Sequence, residues 1–458
     1  MKVLLATVIN PKYKHQIIPD VGIGYLASSA RKAGHEVIYY NGLIHNQIPE
    51  FESYLSKNLP DIVGFKVFFG DMIYLKDCIG IVKKQCPQAT IVVGGPHPSC
   101  IREEIMKIKG IDFAFHGEAE VGFPMLLDVL DGKLKRRYED IPGLIWHQGS
   151  RIIVNPKMFI ENLDSLEMPA WDLINPHENA IDQYGFSVKS YPTAPIITTR
   201  GCPFECTYCS AKLVSGRRVR HRGIDQVIRE IVFLKNRYGI KEFTILDDNF
   251  TADKKYTLEF CKKVKRQKIF WTCPQGVRLD CIDEGVLMAM KDAGCYSFGV
   301  GIESGSQGVL NHMKKRLTVP LIKDKINLIK RCGIKVQGFF IIGFPGETME
   351  DLKKTEKLAS SLPLYRLFFS IFTPYPGTEI YEELKEKKLL PDSVIYDYNS
   401  VSVPLSDIPI SKLKRIQRMA ILRFYLKPRV FLEILSTIRK PHQIKYLFNQ
   451  VNEIILKR

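Results

Sequence analysis

Three cysteines lie close together near the middle of the chain, at Cys202, Cys206 and Cys209 in the segment TTRGCPFECTYCSA. Three thiolates on one short loop can hold one face of an iron–sulfur cluster. No fourth cysteine follows nearby, so one iron of such a cluster would lack a protein ligand and could bind an external one. Catalytic zinc sites keep one coordination position open in the same way. The alternatives are a zinc site or three unrelated buried cysteines, although zinc usually takes four ligands.

Charged residues follow three strand-like apolar runs beyond the cysteines. Asp247 and Asp248 end the run EFTILDD, and two adjacent carboxylates can receive an ammonium group. Glu303 ends the run YSFGVGIE, and Arg278 follows IFWTCP in the segment QGVRLD. Carboxylates at strand ends can also be solvated turns or helix caps, and that alternative stays open for both sites.

The segment CPFECTYC resembles the signature of the radical SAM superfamily, including the aromatic Tyr208 before the last cysteine. The resemblance implies a 4Fe-4S cluster whose fourth iron chelates the amino and carboxylate groups of S-adenosylmethionine. Electron transfer from the cluster then cleaves a carbon–sulfur bond and yields a 5′-deoxyadenosyl radical.

The same resemblance assigns roles around S-adenosylmethionine. It implies that the backbone near Tyr208 contacts adenine, that Asp247 and Asp248 lie where the methionyl amine binds, and that Glu303 and Ser304 meet the ribose. Arg278 could pair with the methionyl carboxylate. The segments GFFIIGFPGET and TPYPGT match the same family, and Gly343 would let the backbone approach the adenosine closely.

Short apolar runs alternate with helix-length segments over residues 1 to about 135. This alternation predicts an α/β fold with an open, doubly wound parallel sheet of about five strands. Such a sheet binds its ligand at the carboxyl ends of the strands, and glycines there leave room for a large one.

The segments PDVGIGYLASSARKAGHEV, PDIVGFKV, IVVGGPHPS and FAFHGEAE resemble the cobalamin-binding domain that precedes the barrel in one radical SAM class. The members it most resembles are the anaerobic magnesium-protoporphyrin ester cyclase type and several C-methylases. The cobalamin site that the resemblance implies comprises Gly22, Gly24, Gly64, Gly94, Gly95, His97, Gly117 and Glu118.

No histidine of the chain has an aspartate two residues before it, so the Asp-x-His-x-x-Gly motif is absent. We therefore expect cobalamin to bind base-off, with its upper face towards the barrel and without a histidine ligand. His97 is more readily a hydrogen-bonding residue, and a purely structural sheet is the alternative. Cys78, Cys86 and Cys100 could hold a second cluster as in methylthiotransferases, but we interpret them as buried free thiols.

The strand–helix alternation restarts from Ala194, and six candidate strands predict a partial (β/α)6 barrel with its chemistry at the strand carboxyl ends. The segment 143–154 reads as a hairpin that turns at residues 148–150. The predicted division is a cobalamin-binding domain over residues 1–140, a hairpin and linker over 141–190, the barrel over 191–390, and a basic helical cap over 391–458.

Positive charge is concentrated at the end of the chain. Of the net charge of +17, residues 412–458 contribute +10 from 12 Lys or Arg and 2 Asp or Glu. This region could cap the barrel with a solvated basic face or contact an anionic membrane. Nucleic acid is not favoured, because no base-reading module is visible.

Eleven cysteines and no apolar run of about 20 residues indicate reduced thiols and a cytoplasmic protein. We predict an enzyme that methylates or oxidatively cyclises an unactivated carbon of a small-molecule or lipid substrate, with an external electron donor such as flavodoxin or ferredoxin. The alternatives are a cobalamin-independent radical SAM enzyme and a non-catalytic electron-transfer or sensor protein.

Overall fold

The structure is a computed structural model of the 458-residue chain, and it describes residues 1–10, 18–178, 188–390, 405–436, 438 and 444. Parts of the predicted linker (179–187) and of the predicted basic region (391–404 and most of 437–458) lie outside the described residues.

The N-terminal region forms the predicted doubly wound sheet. Its elements are β1 (Lys2–Thr7), α1 (Val21–Lys32), β2 (Glu36–Tyr40), α2 (Ile48–Asn58), β3 (Ile62–Lys66), α3 (Met72–Gln85), β4 (Thr90–Gly94), α4 (Pro96–Ile101), β5 (Phe113–Phe115), α5 (Gly122–Leu130), β6 (Leu144–Gln148) and β7 (Arg151–Val154). The first five strands pair in parallel in the order β2-β1-β3-β4-β5. The direction of strand order changes at β1, and the carboxyl ends near that point form the usual ligand site.

Both faces of this sheet are buried, which explains why its strands are apolar throughout. In β1, Val3 and Leu5 belong to the core shared with α1 and α5, whereas Leu4 and Ala6 belong to the core with residues of α2 and α3. Burying both faces removes the alternation of polar and apolar residues that a half-exposed strand would show.

The predicted hairpin is confirmed, and it extends the N-terminal sheet. Strand β6 pairs antiparallel with β5 and with β7, so the sheet has seven strands. The edge that β5 would otherwise present is thereby covered.

The second sheet is the predicted partial barrel. The elements of this part are β8 (Thr193–Ile196), β9 (Thr199–Arg200), α6 (Ala211–Val214), β10 (Arg220–His221), α7 (Ile224–Tyr238), β11 (Glu242–Ile245), α8 (Lys254–Val264), β12 (Phe270–Val277), α9 (Glu284–Asp292), β13 (Cys295–Glu303), α10 (Gln307–His312), α11 (Val319–Arg331), β14 (Lys335–Ile342), α12 (Met349–Ser361), β15 (Arg366–Ile371) and α13 (Glu379–Glu386). Strands β8, β11, β12, β13, β14 and β15 pair in parallel in that order. Their carboxyl ends therefore share one side of the sheet, where the site residues lie.

The predicted linker packs between the two sheets. The Trp171 indole nitrogen donates a hydrogen bond to the Glu230 carboxylate on α7 at 3.0 Å, and the Ala170 amide donates to the carbonyl oxygen of Gly24 on α1 at 3.0 Å. The linker thus joins the first helix of the N-terminal region to the first long helix of the barrel.

The C-terminal region is helical, as predicted, in α14 (Ile410–Tyr425) and α15 (Pro428–Leu435), with the break at Lys427–Pro428. Helix α14 lies on β15, where the Gln417 amide donates to the Phe369 carbonyl at 2.7 Å. Among the described residues, no helix is long and apolar enough to cross a membrane.

Candidate functional site

The three cysteines lie on the loop that follows β9. Gly201 begins this loop at φ +96°, and a Cβ there would lie 2.2 Å from the Arg218 carbonyl oxygen, so only glycine fits. The Cys202 amide donates to the Gly216 carbonyl, and the Cys209 amide donates to the Cys206 carbonyl. These backbone hydrogen bonds anchor the cysteine loop at Cys202 and at Cys209.

All three cysteines line one cavity of about 390 Å³, which we call the cluster cavity. Its walls also include Phe204, Tyr208, Lys212, Asp248, Arg278, Gly299, Gly301, Glu303, Lys315 and Phe339. Among the described residues, no three His, Cys, Asp or Glu side chains converge on a point where one metal ion could bind. The three thiols nevertheless line one cavity, and this ligand set fits an iron–sulfur cluster that keeps one iron open.

Arg278 places positive charge beside this cavity. One of its terminal nitrogens lies 3.7 Å from the Cys206 sulfur, and its guanidinium lies 3.6 Å from the centre of the Phe204 ring. Asp280 holds the guanidinium through two hydrogen bonds of 2.9 and 3.0 Å. A fixed cation next to thiolate ligands offsets their negative charge.

The two neighbouring aspartates have different surroundings. Asp247 is 2% exposed, and its carboxylate accepts hydrogen bonds from the Thr198 amide, the Thr198 hydroxyl and the Thr199 hydroxyl. Burial raises the pKa of Asp247 to about 6, although these hydrogen bonds act to lower it. Asp248 is exposed and lines the cluster cavity. The structure thus brings Asp248 to the site and uses Asp247 to fix β11 against the start of the cysteine loop.

Glu303 is directed into the cluster cavity by an irregularity in its strand. The register between β13 and β14 shifts between Gly301 and Glu303, and Glu303 has φ +66°, which is rare for a residue with a side chain. Its carboxylate accepts hydrogen bonds from the Tyr208 hydroxyl at 2.8 Å and from the Lys315 ammonium at 2.7 Å. Burial, followed by the Glu303 charge, raises the pKa of Tyr208 well above its ordinary value, so this phenol stays a donor.

Two glycines keep the floor of the cluster cavity open. A Cβ at Gly301 would lie 2.1 Å from a Glu303 carboxylate oxygen and 2.7 Å from the Lys315 nitrogen, and a Cβ at Gly299 would lie 2.1 Å from the Pro274 carbonyl oxygen. Any side chain at these positions would displace the walls. The cavity therefore fits a ligand that carries an ammonium, a carboxylate and hydroxyl groups, as S-adenosylmethionine does.

Two residues predicted to contact S-adenosylmethionine lie away from the cavity. The Ser304 side chain is fully buried and bonds to the Thr355 hydroxyl at 3.0 Å, so it ties β13 to α12. Gly343 has φ +74°, and a Cβ there would lie 2.7 Å from Leu413 of α14. Its amide donates to the Glu347 carboxylate at 2.5 Å, so Gly343 shapes the turn after β14 and accommodates the C-terminal helix.

A second cavity, of about 270 Å³, lies at the carboxyl ends of the N-terminal strands, and we call it the N-terminal cavity. It is lined by most of the predicted glycines and by apolar residues, including Gly22, Ile23, Gly64, Phe65, Val92, Gly94, Gly95, Gly117 and Glu118. A Cβ at Gly95 would lie 3.1 Å from the Lys66 side chain and 3.2 Å from the Val67 backbone. This glycine-lined cradle fits part of a large ligand such as cobalamin. No histidine of the described residues lines it.

Three residues of the predicted cobalamin site have other contacts. A Cβ at Gly24 would lie 2.7 Å from Ile174 and 2.8 Å from Pro169, so Gly24 makes room for the linker. His97 is 3% exposed, and its ring meets Phe69 edge-on at 4.8 Å. Burial lowers the pKa of His97 to about 4, so it is neutral at neutral pH. Glu118 lines the cavity, but its carboxylate pairs with Arg220 at 2.7 Å.

Sequence reasoning missed several residues of the site. Lys315 belongs to a basic run, MKKR, that is typical of a solvated surface, and only the tertiary structure brings it to Glu303. Arg200 and Arg220 follow the first barrel strand, and their pairing with Glu120 and Glu118 joins the two domains. Of these residues, only Arg200 could have been recognised from the sequence, because it lies directly before the cysteine loop.

Family comparisons match both halves of the chain. Residues 196–359 match the family described as the radical SAM superfamily, and residues 12–127 match the B12 binding domain. An uncharacterized methyltransferase of Pyrococcus horikoshii is 32% identical over 422 residues, covering 91% of this chain and 89% of the relative. The anaerobic magnesium-protoporphyrin IX monomethyl ester cyclase of Cereibacter sphaeroides is 25% identical over 430 residues, covering 90% of this chain and 68% of the relative.

Among solved structures, the fold is similar to that of a radical S-adenosylmethionine methyltransferase, TsrM, from Kitasatospora setae. The TM-score is 0.71 at 19% identity, over 84% of this chain and 76% of that one. That likeness supports the arrangement of a doubly wound domain before a partial barrel.

Proposed function

Because the chain belongs to the cobalamin-dependent radical SAM enzymes, with a 4Fe-4S cluster, S-adenosylmethionine and cobalamin as cofactors, we propose that it methylates an unactivated carbon. Methyl transfer is the activity in the name of the relative that is 32% identical. When bound, the cluster supplies the electron that cleaves S-adenosylmethionine, and cobalamin supplies a transferable methyl group.

One observation carries the proposal: Asp248 lines both the cluster cavity and the N-terminal cavity. Two cofactors held in these cavities would meet across a single side chain. Methyl transfer needs the radical carbon and the methyl donor to be close, and positioning of this kind supplies much of a catalytic effect.

The roles that we propose for the cavity residues follow from their charges. Cys202, Cys206 and Cys209 would hold the cluster, and Arg278 would offset its negative charge. Asp248, as an exposed carboxylate, would receive the methionyl ammonium. Glu303, held by Tyr208 and Lys315, would accept hydrogen bonds from the ribose hydroxyls.

Oxidative cyclisation is the second candidate, favoured by the relative that is an ester cyclase. It would use the same two cavities but would not consume the methyl group of S-adenosylmethionine. The two activities therefore leave different products.

The test uses anaerobically reconstituted protein, a reductant and S-adenosylmethionine, with cobalamin present or omitted. Methyl transfer predicts both 5′-deoxyadenosine and S-adenosylhomocysteine, and the second product requires cobalamin. Formation of 5′-deoxyadenosine alone would point to cyclisation or to a cobalamin-independent enzyme. Neither product would contradict the proposal and favour an electron-transfer or sensor protein. Cys206→Ala should lose both products, whereas Cys332→Ala, a buried cysteine outside the cavity, should keep them.

The reaction needs an external electron donor, and we propose a small carrier such as flavodoxin or ferredoxin. Its approach would be to the outer side of the cysteine loop, where Pro203 is exposed. Beside it, Arg217 and Arg316 both pair with Glu205, at 2.7 and 2.5 Å. These two cations around one carboxylate leave a positive surface for an acidic carrier.

We also propose that the C-terminal helices contact an anionic membrane surface. Leu426, Phe431, Leu432 and Leu435 are 72%, 50%, 64% and 42% exposed, which is unusual for large apolar side chains within ten residues of each other. Arg423, Lys427 and Arg429 lie in the same stretch of sequence. Apolar side chains flanked by cations are the pattern of helices that bind anionic lipid surfaces.

A further inference from the structure

A third cavity, of about 400 Å³, continues from the cluster cavity and shares Tyr208, Glu303 and Phe339 with it. We call it the aromatic cavity. On the opposite side it is bounded by Phe69 and Gly70 of the N-terminal domain and by Tyr375 of the barrel. A group in this cavity would therefore lie against the site where S-adenosylmethionine is cleaved.

The last two barrel strands supply an apolar inner wall. Phe339 and Ile341 of β14 face the cavity, and their cross-strand partners on β15 are Phe368 and Ser370. The Phe339 and Phe368 rings stack with their centres 5.1 Å apart, and Phe368 is 38% exposed. Aromatic side chains left exposed inside a barrel are a surface that an apolar ligand can bury.

Charge is nearly absent from this wall. Among the described residues that line the aromatic cavity, Glu303 is the only charged one, and Lys315 already pairs with it at 2.7 Å. No lysine or arginine of those lining residues is available to neutralise an anion. An anionic group placed here would lose hydration without gaining a cationic partner.

We propose that the aromatic cavity is the substrate site and that it selects an uncharged, apolar group, such as a ring system or a hydrocarbon chain, as the part of the substrate that reacts. This inference rests on the proposed function and adds the chemical class of the substrate. It excludes substrates whose reacting part carries a phosphate or a carboxylate. Ser370 and Thr373, which also line the cavity, allow neutral hydrogen-bonding groups on the ligand.

Two probes that share one ring system separate the charge from the shape. Naphthol is neutral at neutral pH, whereas naphthyl phosphate carries negative charge on the same rings. Equilibrium dialysis against the protein loaded with its cluster, cobalamin and S-adenosylmethionine should show naphthol binding at least about tenfold more tightly. Equal or tighter binding of naphthyl phosphate would overturn the inference.

A substitution in the aromatic cavity tests whether naphthol binds there. Ser370→Asp adds a carboxylate at an exposed position and should weaken naphthol binding by about tenfold or more, because the new charge has no partner in the wall. Ser56→Asp is the control, because it adds the same charge at an exposed position outside the aromatic cavity, and it should bind naphthol as the wild type does. Unchanged naphthol binding in Ser370→Asp would place the probe elsewhere and contradict the assignment of the cavity.

The same preparations keep the two proposals apart. Formation of 5′-deoxyadenosine and S-adenosylhomocysteine tests the proposed function and needs neither probe. If both products form but the charged probe binds more tightly, the substrate class is wrong and the function stands. If neither product forms and the neutral probe still binds more tightly, the function is wrong and the apolar site stands.

Discussion

Asp247 and Asp248 are chemically identical neighbours with different tasks. The three hydrogen bonds that Asp247 accepts from Thr198 and Thr199 are made inside the protein. Asp248 accepts hydrogen bonds from the Gly201 amide at 3.2 Å and from the Ser215 side chain, and it lines two cavities. A substitution at one position should therefore affect folding, and a substitution at the other should affect binding.

We expect Asp248→Asn to weaken S-adenosylmethionine binding by about ten- to a hundredfold, because a charge-assisted hydrogen bond to the methionyl ammonium is lost. The thermal unfolding midpoint should change little. Asp247→Asn should instead lower the unfolding midpoint, since an amide nitrogen cannot accept the bonds from Thr198 and Thr199. Equilibrium dialysis with labelled S-adenosylmethionine and thermal unfolding measure the two effects. The reverse pattern would exchange the roles of the two residues.

The sequence indicated which side chains reach the site only where the spacing within a motif determines their positions. The spacing of the cysteines, and the position of Glu303 at a strand end, were sufficient to predict these residues in one cavity, where they lie. The aspartate pair could not be resolved, because the direction of each side chain depends on the contact of β11 with Thr198. Lys315 could not be found, since nothing in the run MKKR distinguishes the lysine that is buried.

At the scale of the elements, the amino end of β11 carries a buried acid away from the cavities. Glu242 is fully buried and accepts hydrogen bonds from the Lys189 and Ser190 amides at 2.8 and 2.9 Å and from the Tyr296 hydroxyl at 2.6 Å. Burial raises its pKa from 4.5 to about 7, although these bonds oppose the shift. The native state therefore holds a proton that the unfolded chain releases at lower pH.

Because the native state binds this proton more tightly than the unfolded chain does, Glu242 makes the protein more stable at low pH. The raised pKa of Glu242 contributes stability that is fully present below pH 4.5 and is lost as the pH rises through about 7. Glu242→Gln removes the titrating group, so its thermal unfolding midpoint should fall less than that of the wild type between about pH 5 and pH 8. Unfolding scans at the two pH values measure this difference. An equal or larger fall in Glu242→Gln would contradict the prediction.

The strands of the N-terminal sheet were predictable because both faces of that sheet are buried, which leaves continuous apolar runs in the sequence. The hairpin β6–β7 was also predictable, but its attachment to β5 was not. That pairing depends on register contacts such as Phe113 with Trp146, and a hairpin sequence does not specify which open edge it will join. The register shift that turns Glu303 into the cluster cavity could not be predicted either, because it depends on how β13 pairs with β14.

At the scale of the whole molecule, buried ion pairs hold the two domains together. Glu118 pairs with Arg220 at 2.7 Å and Glu120 pairs with Arg200 at 2.7 Å, and all four side chains are at most 12% exposed. Removing one partner of such a pair would leave a buried charge uncompensated, which costs about 3–5 kcal/mol. The pairs thus fix the N-terminal cavity relative to the cluster cavity.

The C-terminal surface gives the prediction that concerns the molecule as a whole. The protein should float with vesicles that contain anionic phosphatidylglycerol and less with vesicles of phosphatidylcholine alone, and salt should weaken the association. Leu432→Glu should reduce flotation, because it places a negative charge in the apolar surface. Leu59→Glu is the control, since Leu59 is 65% exposed on the N-terminal domain, and it should float as the wild type does. Equal flotation of both variants would contradict membrane contact through α15.

Asp248 forms part of the wall of two cavities at once, and this has a thermodynamic consequence. Ligands in the two cavities would share this carboxylate, so we expect that filling either cavity changes the affinity of the other. The coupling free energy is one quantity and must be reciprocal. Whatever factor cobalamin imposes on the affinity for S-adenosylmethionine, S-adenosylmethionine imposes on the affinity for cobalamin.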